Sequence, residues 1–306
     1  MNEPAGGIQP STRKIDGGPA LLGVLCGLGA ATFWALGFVA TRHGLKLGFT
    51  PVDLLAHRFL WSGIAFLPFA FRAGLGDLCG IGWGRGMVLM VLGGPVMSLI
   101  SYAGFLFVPL GHGSVIQPSC ATLGGLFLAT VLLKERISVS RFAGAIVIVL
   151  GLAVIGGESI GHIGESAVLG DLLFVLTGFM FAGFATLVRY WRVSAFSAAA
   201  VISVLSLCLF PIYVATGGLA RVAAIGVGEN ALQALGQGIL AGPAAMYLFA
   251  LSIQLLGVAR AAIFPAMVPA LTLLFGWLLL GEPPTALQTA GLATVLCGFF
   301  LAQRQR

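Results

Sequence analysis

The chain has 306 residues, of which 58% are hydrophobic and 8% charged, with a mean hydropathy of +1.04 and a formal net charge of +6. A soluble domain carries about a quarter charged residues, so this chain would not dissolve in water and an integral membrane protein is the fitting class. The positive balance is what Lys- and Arg-rich cytoplasmic loops give a membrane protein, and no nucleic-acid partner is expected.

Residues 1–19 are polar and rich in Gly and Pro, without the charged-then-apolar design of a cleaved leader, and read as a flexible cytoplasmic tail. A helix of about 20 apolar residues crosses a bilayer core. Ten such runs follow, at 20–41, 53–71, 87–108, 112–133, 140–156, 168–190, 194–216, 231–256, 260–280 and 285–302. They are too long for barrel strands and lack in/out alternation, and no soluble domain is inserted between them. Cys26, Cys79, Cys120, Cys208 and Cys297 are scattered, mostly within apolar runs, and form no CxxC pair. They read as small packing residues, so no disulfide frame, metal site or cofactor is expected.

The chain also repeats itself. A shift of 147 residues lays Pro118 on Pro265, Glu135 on Glu282, Gly144 on Gly291 and Gly151 on Gly298 without a gap. The same shift matches Gly23 with Gly170, Ala35 with Ala182 and Arg42 with Arg189. The two copies are 20–156 and 168–302. In each, two glycines seven apart share one helix face and admit a neighbouring helix closely. Five spans per copy is an odd number, so the second copy enters the membrane from the other side. With the N-terminus cytoplasmic, twelve Lys and Arg lie inside against Arg42, Lys46 and Arg221 outside, while Arg58 falls within the second run. The positive-inside rule therefore puts both termini in the cytoplasm, in a multi-pass protein of the inner (plasma) membrane. The expected fold is an all-α integral membrane protein, ten transmembrane helices in a 5+5 inverted repeat around a central cavity. Interchangeable halves of this kind can open a central site to one face and then the other.

Phe33-Trp34-Ala35, Phe38-Val39-Ala40 and His57-Arg58-Phe59, with Pro118 and the turn Leu133-Lys134-Glu135-Arg136, form an ordered set in the first copy. Pro265, Leu280-Gly281-Glu282, Gly170-Asp171 and Arg189 complete it in the second. The set resembles the drug/metabolite transporter superfamily, and within it the EamA-type ten-helix members, over nearly the whole chain. The second turn departs from the first, with Pro283-Pro284 in place of basic residues, which suits a helix start. The resemblance implies export or exchange of small metabolites, amino acids among them. It also implies that helices one to four and six to nine surround the cavity while five and ten lie at the periphery.

Trp34, Trp61, Tyr102, Tyr247 and Trp277 lie within the apolar runs. Singly each reads as packing or lipid-facing bulk; as a group they suit a cavity for flat or apolar side chains. Most Ser and Thr in such helices bond to backbone, Ser98 and Ser101 among the candidates for more. Gln117 and Gln254 cost more to bury and are better cavity residues. Arg58 either meets a substrate carboxylate, snorkels outward or pairs with Asp53. The substrate-binding candidates are thus Trp34, Arg58, Trp61, Ser98, Tyr102, Gln117, Tyr247 and Gln254. Pro95 and Pro243, each after a Gly, and Pro118 and Pro265 are candidate hinges, because Pro frees a carbonyl one turn back.

His112 reads as a solvated imidazole at a helix start, and Glu135 and Glu282 as turn residues favoured by the local helix dipole. Every Asp and Glu falls in a tail, a turn or a helix end, so no carboxylate relay is visible and an uncoupled facilitator is expected. The expected partners are a small-molecule substrate and the lipid bilayer, and ten helices around an internal site can work as a monomer. The reading is a secondary transporter of an amino acid, aromatic or bulky apolar, exporting or uniporting by alternating access. Nucleotide-sugar or phosphate-ester antiport is the alternative, disfavoured because Arg58 is the one deep cation. An intramembrane enzyme ranks lower: HExxH, a P-loop, paired interior aspartates and a Ser/His dyad are all missing from the sequence. A channel would want a re-entrant segment or a ring-forming charge pattern, and neither is seen.

Overall fold

The computed structural model describes residues 17–132, 134, 137–158, 165–261 and 263–303. The tail up to residue 16 and Leu133, Glu135 and Arg136 of the first turn lie outside them. Among the described residues every regular element is helical. Hydrocarbon offers the backbone no water to bond, and a helix satisfies its own N–H and C=O groups.

The first run is α1 (Gly17–Lys46) and the second α2 (Pro51–Ala73), which starts where the Thr50 side chain caps the Asp53 N–H and Pro51 takes a position needing no donor. The third run divides into α3 (Trp83–Gly93) and α4 (Pro95–Gly104). Then come α5 (Leu110–Leu132), α6 (Val139–Glu158) and α7 (Glu165–Tyr190). The seventh run is α8 (Ala195–Ser206), a 3-10 turn at Leu207–Leu209 and α9 (Phe210–Ala215), followed by a short connecting helix, α10 (Gly218–Ile225). The eighth is α11 (Val227–Gln233), a π-helical stretch at Ala234–Ala244 and α12 (Ala245–Leu256). The chain closes with α13 (Val258–Ala261), α14 (Ile263–Leu280) and α15 (Ala286–Gln303).

Nine helical stretches among the described residues are long and apolar enough to cross a bilayer. The sequence predicts ten. The last run forms α15 as a helix, but its apolar part, Ala286–Ala302, is shorter than the others. At 1.5 Å per residue it falls a few ångströms short of a hydrocarbon core of about 30 Å. Phe71, Phe127, Leu278 and Phe300 stand largely exposed on the outside, as side chains that meet lipid do.

Both Gly-Pro pairs interrupt their helices. Gly94 (φ −115°, ψ −138°) separates α3 from α4, and Gly242 (φ −92°, ψ −111°) breaks the π-helical stretch just before Pro243. Pro118 lies inside α5, whereas Pro265 stands in the first turn of α14 and the interior proline there is Pro269. A first-turn proline frees no intrahelical carbonyl, whereas Pro269 leaves the carbonyl one turn back without its donor.

The turns after α5 and α14 share one backbone signature 147 residues apart: Lys134 has φ 54° and Gly281 φ 66°, both left-handed. Of the two, only Gly281 adopts it without a Cβ penalty.

The paired glycines face each other. A Cβ on Gly144 would stand 2.7 Å from the Gly298 carbonyl and 2.6 Å from the Ala302 nitrogen; one on Gly298 would stand 2.9 Å from the Gly144 carbonyl. Gly151 and Gly291 make the same reciprocal approach, at 2.9 and 3.0 Å to each other's carbonyls. The first glycine of each helix thus meets the second of the other, which holds α6 and α15 antiparallel at backbone contact. Elsewhere the packing is mirrored in the same way. The helix α5 lies on α7 as α14 lies on α1, and α4 lies on α7 as α12 lies on α1. The largest apolar cluster runs between these elements through Phe105, Val115, Ile148, Ile155, Phe174, Val295 and Phe299.

Candidate functional site

A buried polar cluster is organised by Gln237, on the π-helical stretch ahead of the Gly242 break. Its Nε2 donates to the Gly37 carbonyl at 3.0 Å and to Thr41 Oγ1 at 2.5 Å. Its Oε1 accepts from the Tyr102 hydroxyl at 3.2 Å, and its carbonyl accepts from Arg58 Nη1 at 3.0 Å. Side chains from α1, α2 and α4 therefore converge on one glutamine from the other half of the chain. A π-turn shifts register by one residue and leaves backbone carbonyls less committed, which gives Arg58 a partner inside the bundle. One turn earlier Gln233, fully buried, donates to the Ala40 carbonyl at 2.9 Å. The sequence reading passed over both glutamines. The signal was available, since two amides four apart in an apolar run share one helix face.

Of the predicted site residues, Arg58 and Tyr102 join this cluster directly. Ser101 donates to Gln117 at 3.1 Å beside it, with Ser98 buried one turn away. Trp61 lies against Gly238, and Trp34 makes an edge-to-face contact with Phe249 at 5.2 Å. Tyr247, Gln254 and Trp277 are exposed on the bundle, away from the hydrogen bonds of the Gln237 cluster. Arg58 does not pair with Asp53. The Asp53 carboxylate, fully buried, accepts instead from Tyr213 at 2.9 Å, Arg221 at 3.1 Å and Thr50 at 2.7 and 2.9 Å.

Around this cluster, several ion pairs lie at the end where α1 stops and α2 starts. Arg42 and Lys46 both reach Glu282, at 3.0 and 2.7 Å, and Arg42 also donates to the Phe105 carbonyl at 2.7 Å. His43 meets Glu229 at 3.0 Å, and His57 meets Asn230 at 3.0 Å. Apart from the Arg42 bond to Phe105, each of these contacts joins a residue before 158 to one after 165. At the opposite end, where α7 stops, Arg85 stands over the Trp191 ring, 5.5 Å from its centroid.

Burial alone would raise the Glu282 carboxyl, but the Lys46 and Arg42 hydrogen bonds and charges outweigh it and hold the group below its usual 4.5. A depressed carboxylate adds stability above its unfolded pKa and loses it as pH falls through the lower folded value. Glu282→Gln is therefore expected to lower stability by about 1 kcal/mol at pH 7, the upper range for a partly exposed network. The difference from the parent should shrink below pH 4.5 and vanish in strong acid, as read by thermal unfolding in detergent.

His112 corrects the sequence reading. It is fully buried, with Nδ1 2.9 Å from Asp171 on α7 and Nε2 3.5 Å from Glu158 at the end of α6. The helix start that suggested solvation is covered by α6, by α7 and by Gln288 of α15, which lies against Gly111.

Comparison with known proteins agrees with this architecture. The model of the EamA-like transporter family matches the chain twice, at residues 21–157 and 168–303. A relative from Archaeoglobus fulgidus named as an uncharacterized transporter is 27% identical over 286 residues, covering 90% of this chain and 96% of that one. A solved crystal structure shares the fold with a TM-score of 0.59 at 18% identity, over 92% of this chain and 96% of its own. An apolar helical bundle with polar groups gathered at its centre, matched by one family over both parts, is a multi-pass membrane transporter. The chain belongs to the EamA-like transporter family.

Proposed function

We propose that the chain is a secondary transporter working by alternating access, built as ten helices in two inverted copies of five. The observation that carries this is the reciprocal contact of the glycine pairs. When the first glycine of one helix meets the second of the other, and the second meets the first, the two are related by a two-fold axis across the helices. Such an axis inverts one copy relative to the other in the membrane. The repeated left-handed turns and the mirrored helix contacts support the same relation. Ion pairs such as Arg42 with Glu282 join the copies in this state, and exchange of the copies' conformations would open a central site to one face and then to the other. The α15 helix counts as the tenth span on this reading, short because it lies at the periphery against α6.

The substrate site is the Gln237 cluster with Arg58, Tyr102, Gln117 and Ser98, walled by Trp34 and Trp61. It combines one guanidinium for a carboxylate with amides and aromatic faces, which fits an amino acid with an aromatic or bulky apolar side chain. Arg58 alone is a poor match for a phosphate ester, which would want several fixed cations. Tyr247 and Gln254 take no part in this site. Export down the substrate's own gradient, as in uniport, is the simplest mode of such a machine, acting as a monomer in the inner membrane with both termini cytoplasmic. Proteoliposomes loaded with unlabelled L-phenylalanine should draw in labelled L-phenylalanine by counterflow. Failure with Phe, Trp, Leu and Met alike would remove the substrate assignment, and termini mapped to opposite sides would remove the topology.

A further inference from the structure

We propose that His112, Asp171 and Glu158 form a proton-binding site held across the two halves of the chain, so that a proton is a ligand of this transporter. This rests on the transport reading for its purpose, though not for its chemistry. The imidazole is fully buried, and the side chains of Glu158 and Asp171 are 8% and 11% exposed. Its two ring nitrogens are directed at carboxylates on two different helices, so a proton added to neutral His112 forms a cation already flanked by both. Glu158 Oε2 is buried without a hydrogen bond among the described residues, and a bound proton is what would give it one.

Among the described residues, Glu158 of α6 and Asp171 of α7 face His112, and the uncharged Gln288 amide of α15 and apolar Leu273 of α14 lie against the adjacent Gly111. Arg42 of α1 is engaged at the Phe105 carbonyl and Glu282. Residues 159–164 lie outside the described chain.

Two features tie this proton to movement. His112 and Glu158 belong to the first part of the chain and Asp171 to the second, so separating the copies parts the imidazole from one of the two carboxylates that flank it. The site also lacks a counterpart in the repeat. The positions 147 residues from His112, Asp171 and Glu158 hold Ala259, Val24 and Gln305, whereas Arg42 and Glu282 are matched by Arg189 and Glu135. Two mirrored halves would give two states of similar energy. A titratable cluster without a counterpart in the repeat makes proton occupancy favour one state over the other. The uncoupled facilitator expected from the sequence thereby gains an ion it can respond to.

The test needs no transported substrate. Full-length protein reconstituted on a solid-supported membrane is given a step from pH 8 to pH 6, and the transient charge displacement is recorded. The wild type should give a transient that falls at least tenfold in His112→Gln and in Asp171→Asn. Glu158→Gln should reduce it as well. Asp171→Asn keeps shape and hydrogen bonding, so it decides the matter if His112→Gln fails to fold. A missing wild-type transient, or one unchanged in Asp171→Asn, overturns the proposal. L-Phenylalanine counterflow run in parallel reads the transport assignment alone. Counterflow without a transient removes the proton site and leaves the transporter, while a transient without counterflow keeps the proton site and withdraws the substrate.

Discussion

Gly144→Ala is expected to destabilise the folded chain by about 1–3 kcal/mol, the usual cost of overpacking a tight contact. The added methyl would stand 2.6 Å from the Ala302 nitrogen and 2.7 Å from the Gly298 carbonyl, and backbone atoms cannot swing aside as a side chain can. The helices α6 and α15 would have to part along the whole seam, losing the contacts at Gly151 and Gly291 as well. Gly125→Ala on α5 is the matched control, because nothing lies within 4 Å of its added Cβ. There the helix should gain up to about 1 kcal/mol from the better helix former. Thermal unfolding of both variants in the same detergent gives the comparison. Equal midpoints for the two would show that the seam is not a close-packed contact.

Gln237→Leu is the second large effect. It removes the acceptor of the Tyr102 hydroxyl and the donor to Thr41 and Gly37, leaving buried polar groups without partners. Each such group costs about 1–3 kcal/mol. Because this side chain positions Tyr102 and Thr41, while Arg58 keeps its bond to the main-chain carbonyl, labelled L-phenylalanine counterflow should fall by at least tenfold, equivalent to about 1.4 kcal/mol of lost stabilisation. Gln254→Leu, on the exposed side of α12, should leave both stability and counterflow near wild type. The reverse ranking would move the substrate site to the outer face of α12 and remove the Gln237 cluster as its centre. Gln237→Glu separates shape from charge, since a carboxylate next to Arg58 keeps the acceptor but loses the donors to Gly37 and Thr41.

Much of the architecture was readable along the chain. The runs, the 147-residue offset and the breaks after Gly94 and Gly242 depend on hydropathy, on proline's missing donor and on glycine's small size. All of these act within a few residues. Arg58 and Tyr102 were picked out for the same local reason, being polar or amphipathic side chains deep in apolar runs. Gln233 and Gln237 were missed although their spacing was visible, because an amide's role depends on which carbonyls lie opposite. His112 was read as solvated because a helix start in sequence usually is a helix end in water. Here α6, α7 and α15 close over it, and Asp171 arrives from 59 residues away.

The sequence by itself determined that this is a helical membrane protein made of two related copies, because burial in lipid and helix periodicity are properties of each segment alone. The tertiary structure decided which glycines meet, which glutamine gathers the polar groups, and that a histidine sits between two carboxylates. Those outcomes depend on the distance between segments far apart in the chain, and that distance is set by how the faces pack.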